Sequence, residues 1–311
     1  MKKLLLAVAP LALLVAVPAL AADARAPFAP PPPPPAPLFG VVLEGWAGWS
    51  MIGGDYTSVY VNDQNFGAFG GSARAGAALG NQLSLQLDLL GEGSSNGGND
   101  GNIYFKDSLV GGGHISWRNN DGLVGAFGGV ASSRATFISA PDRMTAWFAG
   151  IEGQAYLGDI TFYAQAGYFD AKPYKWTFHE AGFGRILGRY FFAPNTSIQA
   201  EASLLYGQQD DAANTVQSGR AVGWGVRLDH QLPIYPGAST GLFAAYRGGL
   251  FESFDDPFAG DNHRIVDHTL LGGIRVGFGT AGTDLKTNDR RGINLDLPDV
   301  GRWTSGGYLT D

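Results

Sequence analysis

Beyond residue 40, apolar and polar residues alternate one by one, the period of strands whose side chains point to opposite faces. Between Gln82 and Leu89, Leu83, Leu85, Leu87 and Leu89 share one face, and Gln82, Ser84, Gln86 and Asp88 share the other. The same division recurs from Ile160 to Tyr168, where Ile160, Phe162, Ala164, Ala166 and Tyr168 oppose Thr161, Tyr163 and Gln165. It returns from Ile198 to Tyr206, with Gln199, Glu201 and Ser203 on the polar side, and from Leu270 to Phe278, with Thr269 and Arg275.

Two kinds of connection separate these segments. Short ones carry turn residues: Gly80-Asn81, Asn119-Asn120-Asp121, Gly158-Asp159, Pro194-Asn195 and Pro233 to Ala238. Long polar ones cover about 51–66, 92–106, 132–143, 170–178, 208–219 and 251–266. Short and long alternate strictly, as do the periplasmic turns and extracellular loops of an outer-membrane barrel. The pattern predicts an all-β, transmembrane, antiparallel up-and-down barrel of twelve strands, at 41–50, 67–79, 82–91, 108–118, 122–131, 144–157, 159–168, 180–192, 196–207, 220–231, 239–249 and 267–279. Ten strands remain if one pair fails to form. An even count leaves both termini in the periplasm. Aromatic residues mark both rims: Trp49, Tyr168, Tyr206 and Tyr246 towards the long loops, Trp117, Tyr190, Phe192 and Phe278 towards the short turns. A soluble sandwich is the competing all-β reading, but its loops need not alternate in this way.

The N-terminus adds export. Lys2 and Lys3 precede an apolar run from Leu4 to Leu20, and Ala19-Leu20-Ala21 supplies a small-x-small cleavage pattern, so residues 1–21 read as a cleaved signal peptide. No later apolar run approaches the roughly 20 residues that a spanning helix needs. Residues 22–39 form a proline-rich periplasmic linker, with Pro30 to Pro35 consecutive and restricted to polyproline II. The barrel is expected over 40–279 and a periplasmic tail over 280–311.

Composition narrows the partners. Glycine, at 47 residues, is about twice its usual share, and charged residues reach only 16%. Mean hydropathy is near zero, so apolar and polar positions are interleaved. Cysteine is absent, which excludes disulfides and thiolate metal sites. A net charge of −7 without a basic cluster argues against nucleic-acid partners.

The order of signal peptide, "AAD" start at Ala21, proline strip, first strand "GVVLEGWAGWS" and glycine-rich hairpins resembles porin-like outer-membrane proteins of alphaproteobacteria. The stretch "LLGGIRVGF", Leu270 to Phe278, resembles the aromatic-terminated last strand read by the barrel-assembly machinery. In that family the aromatic residue usually ends the chain, whereas residues 279–311 follow here. Either the tail is tolerated or the assembly signal acts internally. The tail, with "DRRGINLDLPDVGRW", is too small for a peptidoglycan-binding domain and lies under the barrel as a plug or stays disordered.

With aliphatic and aromatic residues facing lipid, Glu44, Arg74, Asp88, Glu152, Arg185, Arg189, Glu201, Arg227, Asp229, Arg247 and Arg275 face the interior and are the candidate pore-lining residues. An Arg or Lys on the lipid face at the midplane costs about 2–4 kcal/mol. Hairpin folding brings Arg74 near Asp88 and Arg189 near Glu201. The charges either flank a narrow channel for ions or small solutes or neutralise one another in a closed structural or adhesive wall. A lipid-modifying enzyme is the third reading. His114 takes an inward phase in mid-strand, and His179, His263 and His268 lie near the loop rim without a recognisable serine and acid beside them. The chain is therefore expected not to be an enzyme, with no catalytic, cofactor or metal site. Acidic loop residues Asp210, Asp211, Asp255, Asp256 and Asp261, with Glu92, Asp100 and Asp107, are read as solvated tips. Expected partners are outer-membrane lipids, lipopolysaccharide, the assembly machinery and the permeant solutes; the oligomeric state is left open.

Overall fold

The computed structural model describes residues 39–55, 64–80, 82–95, 104–136, 143–172, 177–210, 216–235, 238–254, 263–279 and 284–304. The expected signal peptide, proline strip and most acidic loop residues lie outside these ranges. The strands are β1 (Phe39–Asp55), β2 (Gln64–Leu79), β3 (Leu83–Ser94), β4 (Tyr104–Arg118), β5 (Gly122–Thr136), β6 (Met144–Leu157), β7 (Ile160–Ala171), β8 (Phe178–Ala193), β9 (Thr196–Asp210), β10 (Val216–Tyr235), β11 (Ala238–Phe254) and β12 (His263–Phe278). Each pairs antiparallel with its chain neighbours, and β1 closes on β12 through a register that includes Glu44 opposite Arg275. The twelve-stranded barrel expected from the alternation is the fold observed. Its strands run past the expected bounds at the long-connection end; β10 begins at Val216 rather than 220, and β11 ends at Phe254 rather than 249.

The wall is inside-out relative to a soluble protein. Leu87 is 69% exposed on the outer face, while Gln165 is 1% exposed on the inner one. Every backbone N–H and C=O in such a wall must be paired between strands, which closure achieves by removing the edges. The short turns are fixed locally. Gly158 adopts φ +57, a left-handed conformation that glycine takes at little cost. At the β4–β5 turn, Asn119 Oδ1 accepts hydrogen bonds from the N–H groups of Asp121 and Gly122, both at 2.9 Å. In β8 the register shifts between His179 and Gly182, where Glu180 takes φ +46 and donates its N–H to Asp170 Oδ1 at 3.0 Å.

The sequence places the tail under the barrel as a plug or leaves it disordered; its described part lies within the barrel. Residues 284–304 run inside the lumen as two short helices, α1 (Leu285–Arg291) and α2 (Val300–Thr304), joined by an extended stretch. The α1 helix, capped by Asp284 accepting from Thr287 N, sits at the short-turn end, where Lys286 N donates to Pro194 O and Arg290 Nη2 donates to Gly158 O and Ile160 O. The extended stretch crosses the middle, and α2 lies against β4, β5 and β6. The physical reason is mutual satisfaction: the tail's polar backbone finds inward side chains, and its Leu295, Val300 and Trp303 find apolar cover.

Candidate functional site: the filled lumen

The interior is built from the inward phase of each strand, and the candidate pore-lining residues all take that phase. Near its centre Glu44 on β1 receives Arg275 Nε at 2.5 Å and both terminal nitrogens of Arg227 at 3.2 Å. Arg227 also forks onto Asp229 at 2.7–3.0 Å and stacks 3.8 Å over the Phe243 ring. Arg74 lies 3.7 Å from Asp88 and 3.9 Å from Glu44. Arg74 and Asp88 stand directly opposite in the β2–β3 register, as the hairpin predicts.

The other predicted pair is replaced. Arg189 stands opposite Gln199 and donates to its Oε1, and Glu201 is held by Arg185 Nη2 at 2.5 Å. The turn at Pro194-Asn195 pairs Ala193 with Thr196, and an irregularity between Phe191 and Ala193 then shifts the register, so that Arg189 faces Gln199 and Glu201 lies one inward step beyond, opposite Leu187. Arg247 reaches across to Glu92 at 2.6 Å. Glu92, read from the sequence as the flank of a solvated loop, is thus an inward residue of a strand that extends to Ser94.

His114 lies in this interior, as its phase predicts. Its Nδ1 is 2.8 Å from Glu152 Oε1, and its Nε2 is 3.2 Å from Asp88 Oδ2, off the line of a hydrogen bond. Tyr163 OH donates to the other oxygen of Glu152. Carboxylates so buried persist because cations and donors surround them.

The tail completes the network. Gln86 donates to Leu295 O at 2.7 Å and accepts from Leu295 N at 3.2 Å, so one side chain imitates a strand partner. Gln165 Nε2 donates to Asp296 O at 2.7 Å and Arg118 Nη1 to Gly292 O at 3.0 Å. Asp296 Oδ1 meets Arg74 Nη2 at 2.9 Å, with Arg185 4.0 Å from the second oxygen. Asp289 pairs with Arg189 Nη1. Arg302 reaches Asp267 at 2.8 Å and Thr269 Oγ1 at 3.1 Å. Sequence reasoning missed Asp267, Arg118 and all the tail residues.

An apolar half-layer was missed as well. Phe127, Phe148, Phe169 and Phe183 point inward on β5 to β8, and Trp303 packs on Phe183 and Phe169 at ring centroid separations of 5.2 and 6.1 Å. A water-filled lumen gives buried phenylalanines no partner, so their inward phase was the available signal. On the opposite side a cavity of about 20 Å³, room for about one water, is lined by Glu92, Arg247, Asp267 and Arg302. Among the described residues no group of three or more His, Cys, Asp or Glu is placed to hold a metal ion.

Fold and interior together define a β-barrel of the outer-membrane type whose lumen is filled by its own C-terminal segment. No protein-family model matches the sequence, and no curated protein matches it. Solved structures of similar shape are outer-membrane barrels. One is an outer-membrane channel from Pseudomonas putida F1, with TM-score 0.48 and 12% identity over 78% of this chain and 96% of that one. Another is the translocator domain of the autotransporter NalP from Neisseria meningitidis, with TM-score 0.44 and 12% identity over 77% and 88%. A third is the outer-membrane protease OmpT from Escherichia coli, with TM-score 0.31 and 9% identity over 79% and 97%. The expectation that the chain is not an enzyme is corrected on this point: its structural neighbours include a protease beside channels, which leaves enzymatic activity open.

Proposed function

We propose that the protein is a narrow porin-like channel for ions or small solutes in the outer membrane of a Gram-negative bacterium, shut in the described state by its C-terminal tail. The observation that carries this reading is the incomplete pairing of the wall by itself. Arg189 reaches a carboxylate on the tail, and the carboxylate nearest Arg74 is the tail's Asp296 rather than Asp88 or Glu44. A barrel of intermediate strand number has a lumen wider than its side chains fill, and here the tail fills the remainder. Export by the signal peptide, with the short turns in the periplasm, puts the tail's point of entry on the periplasmic side.

A non-conducting structural barrel is the second reading, favoured by the burial of Val300 and Trp303 among inward phenylalanines as in a permanent core. A reversible lock separates the two. A Cβ at Gly301 stands 3.1 Å from the Ser108 Cβ, within reach of a disulfide after slight adjustment, and the chain has no other cysteine. Full-length Ser108→Cys/Gly301→Cys protein in a planar bilayer is expected to be silent when oxidised and to give discrete current steps once reduced. Silence in both states establishes the wall. Equal steps in both states show that the tail is not what closes the lumen.

A further inference from the structure

We infer that Arg74, Arg185 and Arg189 form a carboxylate-binding site inside the barrel, that Asp289 and Asp296 of the tail occupy it in the closed state, and that a small carboxylate-bearing solute competes with them for it. The inference deepens the channel reading and rests on it for the route by which a solute arrives.

The three guanidinium groups project from the inward faces of β2 and β8. Arg185 is anchored from behind by Glu201 at 2.5 Å and Gln165 at 3.2 Å, and Arg189 by Gln199 at 3.1 Å through its Nε. These anchors fix the side chains, with Arg185 Nη2 left 4.0 Å from Asp296 Oδ2. Arg189 spends its Nη1 on Asp289. Arg74 is 9% exposed, and its Nη1 has no hydrogen-bond partner while its Nη2 holds Asp296 at 2.9 Å. A buried guanidinium with one free donor beside an occupied one is set for two-point contact with a carboxylate, which the single contact of Asp296 does not complete.

The geometry of the tail fits the role of a stand-in. Asp296 is presented by an extended backbone whose carbonyl is held by Gln165, and its carboxylate is shared between Arg74 and Arg185 at 2.9 and 4.0 Å. A ligand satisfying the same arginines and the idle Nη1 of Arg74 would displace the tail by mass action, because it binds only the undocked form.

The test uses full-length protein in detergent carrying Val300→Cys as a reporter. Val300, on the tail itself, is fully buried against the barrel in the docked state and the chain has no native cysteine, so a water-soluble maleimide reacts only when the tail leaves. At fixed ionic strength, succinate is expected to raise the labelling rate about tenfold over chloride, the factor carried by one hydrogen bond to a charged group. The Asp289→Asn/Asp296→Asn variant, its barrel checked by heat-modifiable migration, is expected to label fast in chloride and to gain nothing from succinate. Equal rates in succinate and chloride overturn the site, and acceleration by inorganic phosphate equal to that by succinate overturns its assignment to carboxylates. Conductance separates this result from the channel reading. A protein that labels faster in succinate yet never conducts keeps the site and loses the channel, and one that conducts but ignores succinate does the reverse.

Discussion

Asp296 Oδ1 lies 2.9 Å from Arg74 Nη2, joining the last described segment of the chain to the second strand across the middle of the lumen. Removing one member of a buried ion pair leaves the other unpaired in low dielectric. Asp296→Asn is expected to weaken tail docking by about 2–3 kcal/mol, below the cost for a fully buried pair, because the Asp296 side chain keeps 19% of its surface exposed. Hydrogen exchange at the Leu295 amide, which donates to Gln86, reads the change, and unaltered protection would show the pair to be dispensable.

His114 separates Asp88 from Glu152. Its replacement by alanine leaves two buried carboxylates facing a void, with a cost of about 3 kcal/mol. The urea midpoint of the folded barrel in liposomes is expected to fall, while Gln82→Ala, at the exposed short-turn rim, is expected to leave it almost unchanged. Equal midpoints for both variants would remove the structural role assigned to the imidazole.

On the outer wall, Leu87 stands in the middle of β3 and Leu79 at the short-turn end of β2, both exposed. Leu87→Arg is expected to destabilise the barrel by about 2–4 kcal/mol and Leu79→Arg by about 1 kcal/mol or less, as depth in the bilayer dictates. Equal losses in a liposome unfolding assay would mean that the membrane midplane lies elsewhere.

Gly158 meets nothing within 4 Å where a Cβ would stand, yet has φ +57. Gly158→Ala therefore isolates the backbone penalty, about 1–2 kcal/mol. At Gly129 the added Cβ would fall 2.2 Å from Gly111 O, in the inter-strand ladder, and the loss is expected to be larger. The order of the two unfolding midpoints checks this.

Lys286 Nζ is 2.7 Å from Asp159 Oδ1 at the short-turn end, and this hydrogen bond and charge hold the Asp159 carboxyl below the usual carboxylate range. The contact's contribution is present above the carboxyl's ordinary value and is lost as pH falls through the depressed one. Carboxyl titration followed by NMR is expected to move up to the ordinary value in Lys286→Ala; an unshifted titration would deny the tether.

The sequence by itself determined the wall. Alternation such as Leu83-Ser84-Leu85-Gln86-Leu87-Asp88 states which side chains meet lipid, and turn residues such as Asn119 and Gly158 state where the chain reverses, because both depend on neighbours in the chain. Even Arg74 opposite Asp88 was legible, since a tight turn fixes register. Only the tertiary structure decided what fills the barrel. Asn294-Leu295-Asp296-Leu297 has no long apolar period and its helices are short, so nothing local assigns it a place. Its partners Gln86, Gln165, Arg74 and Arg185 come from four separate strands and converge only when the barrel closes. The inward phenylalanines at 127, 148, 169 and 183 belong to the same class of information, because their burial becomes favourable only once Trp303 and Val300 exclude water from them.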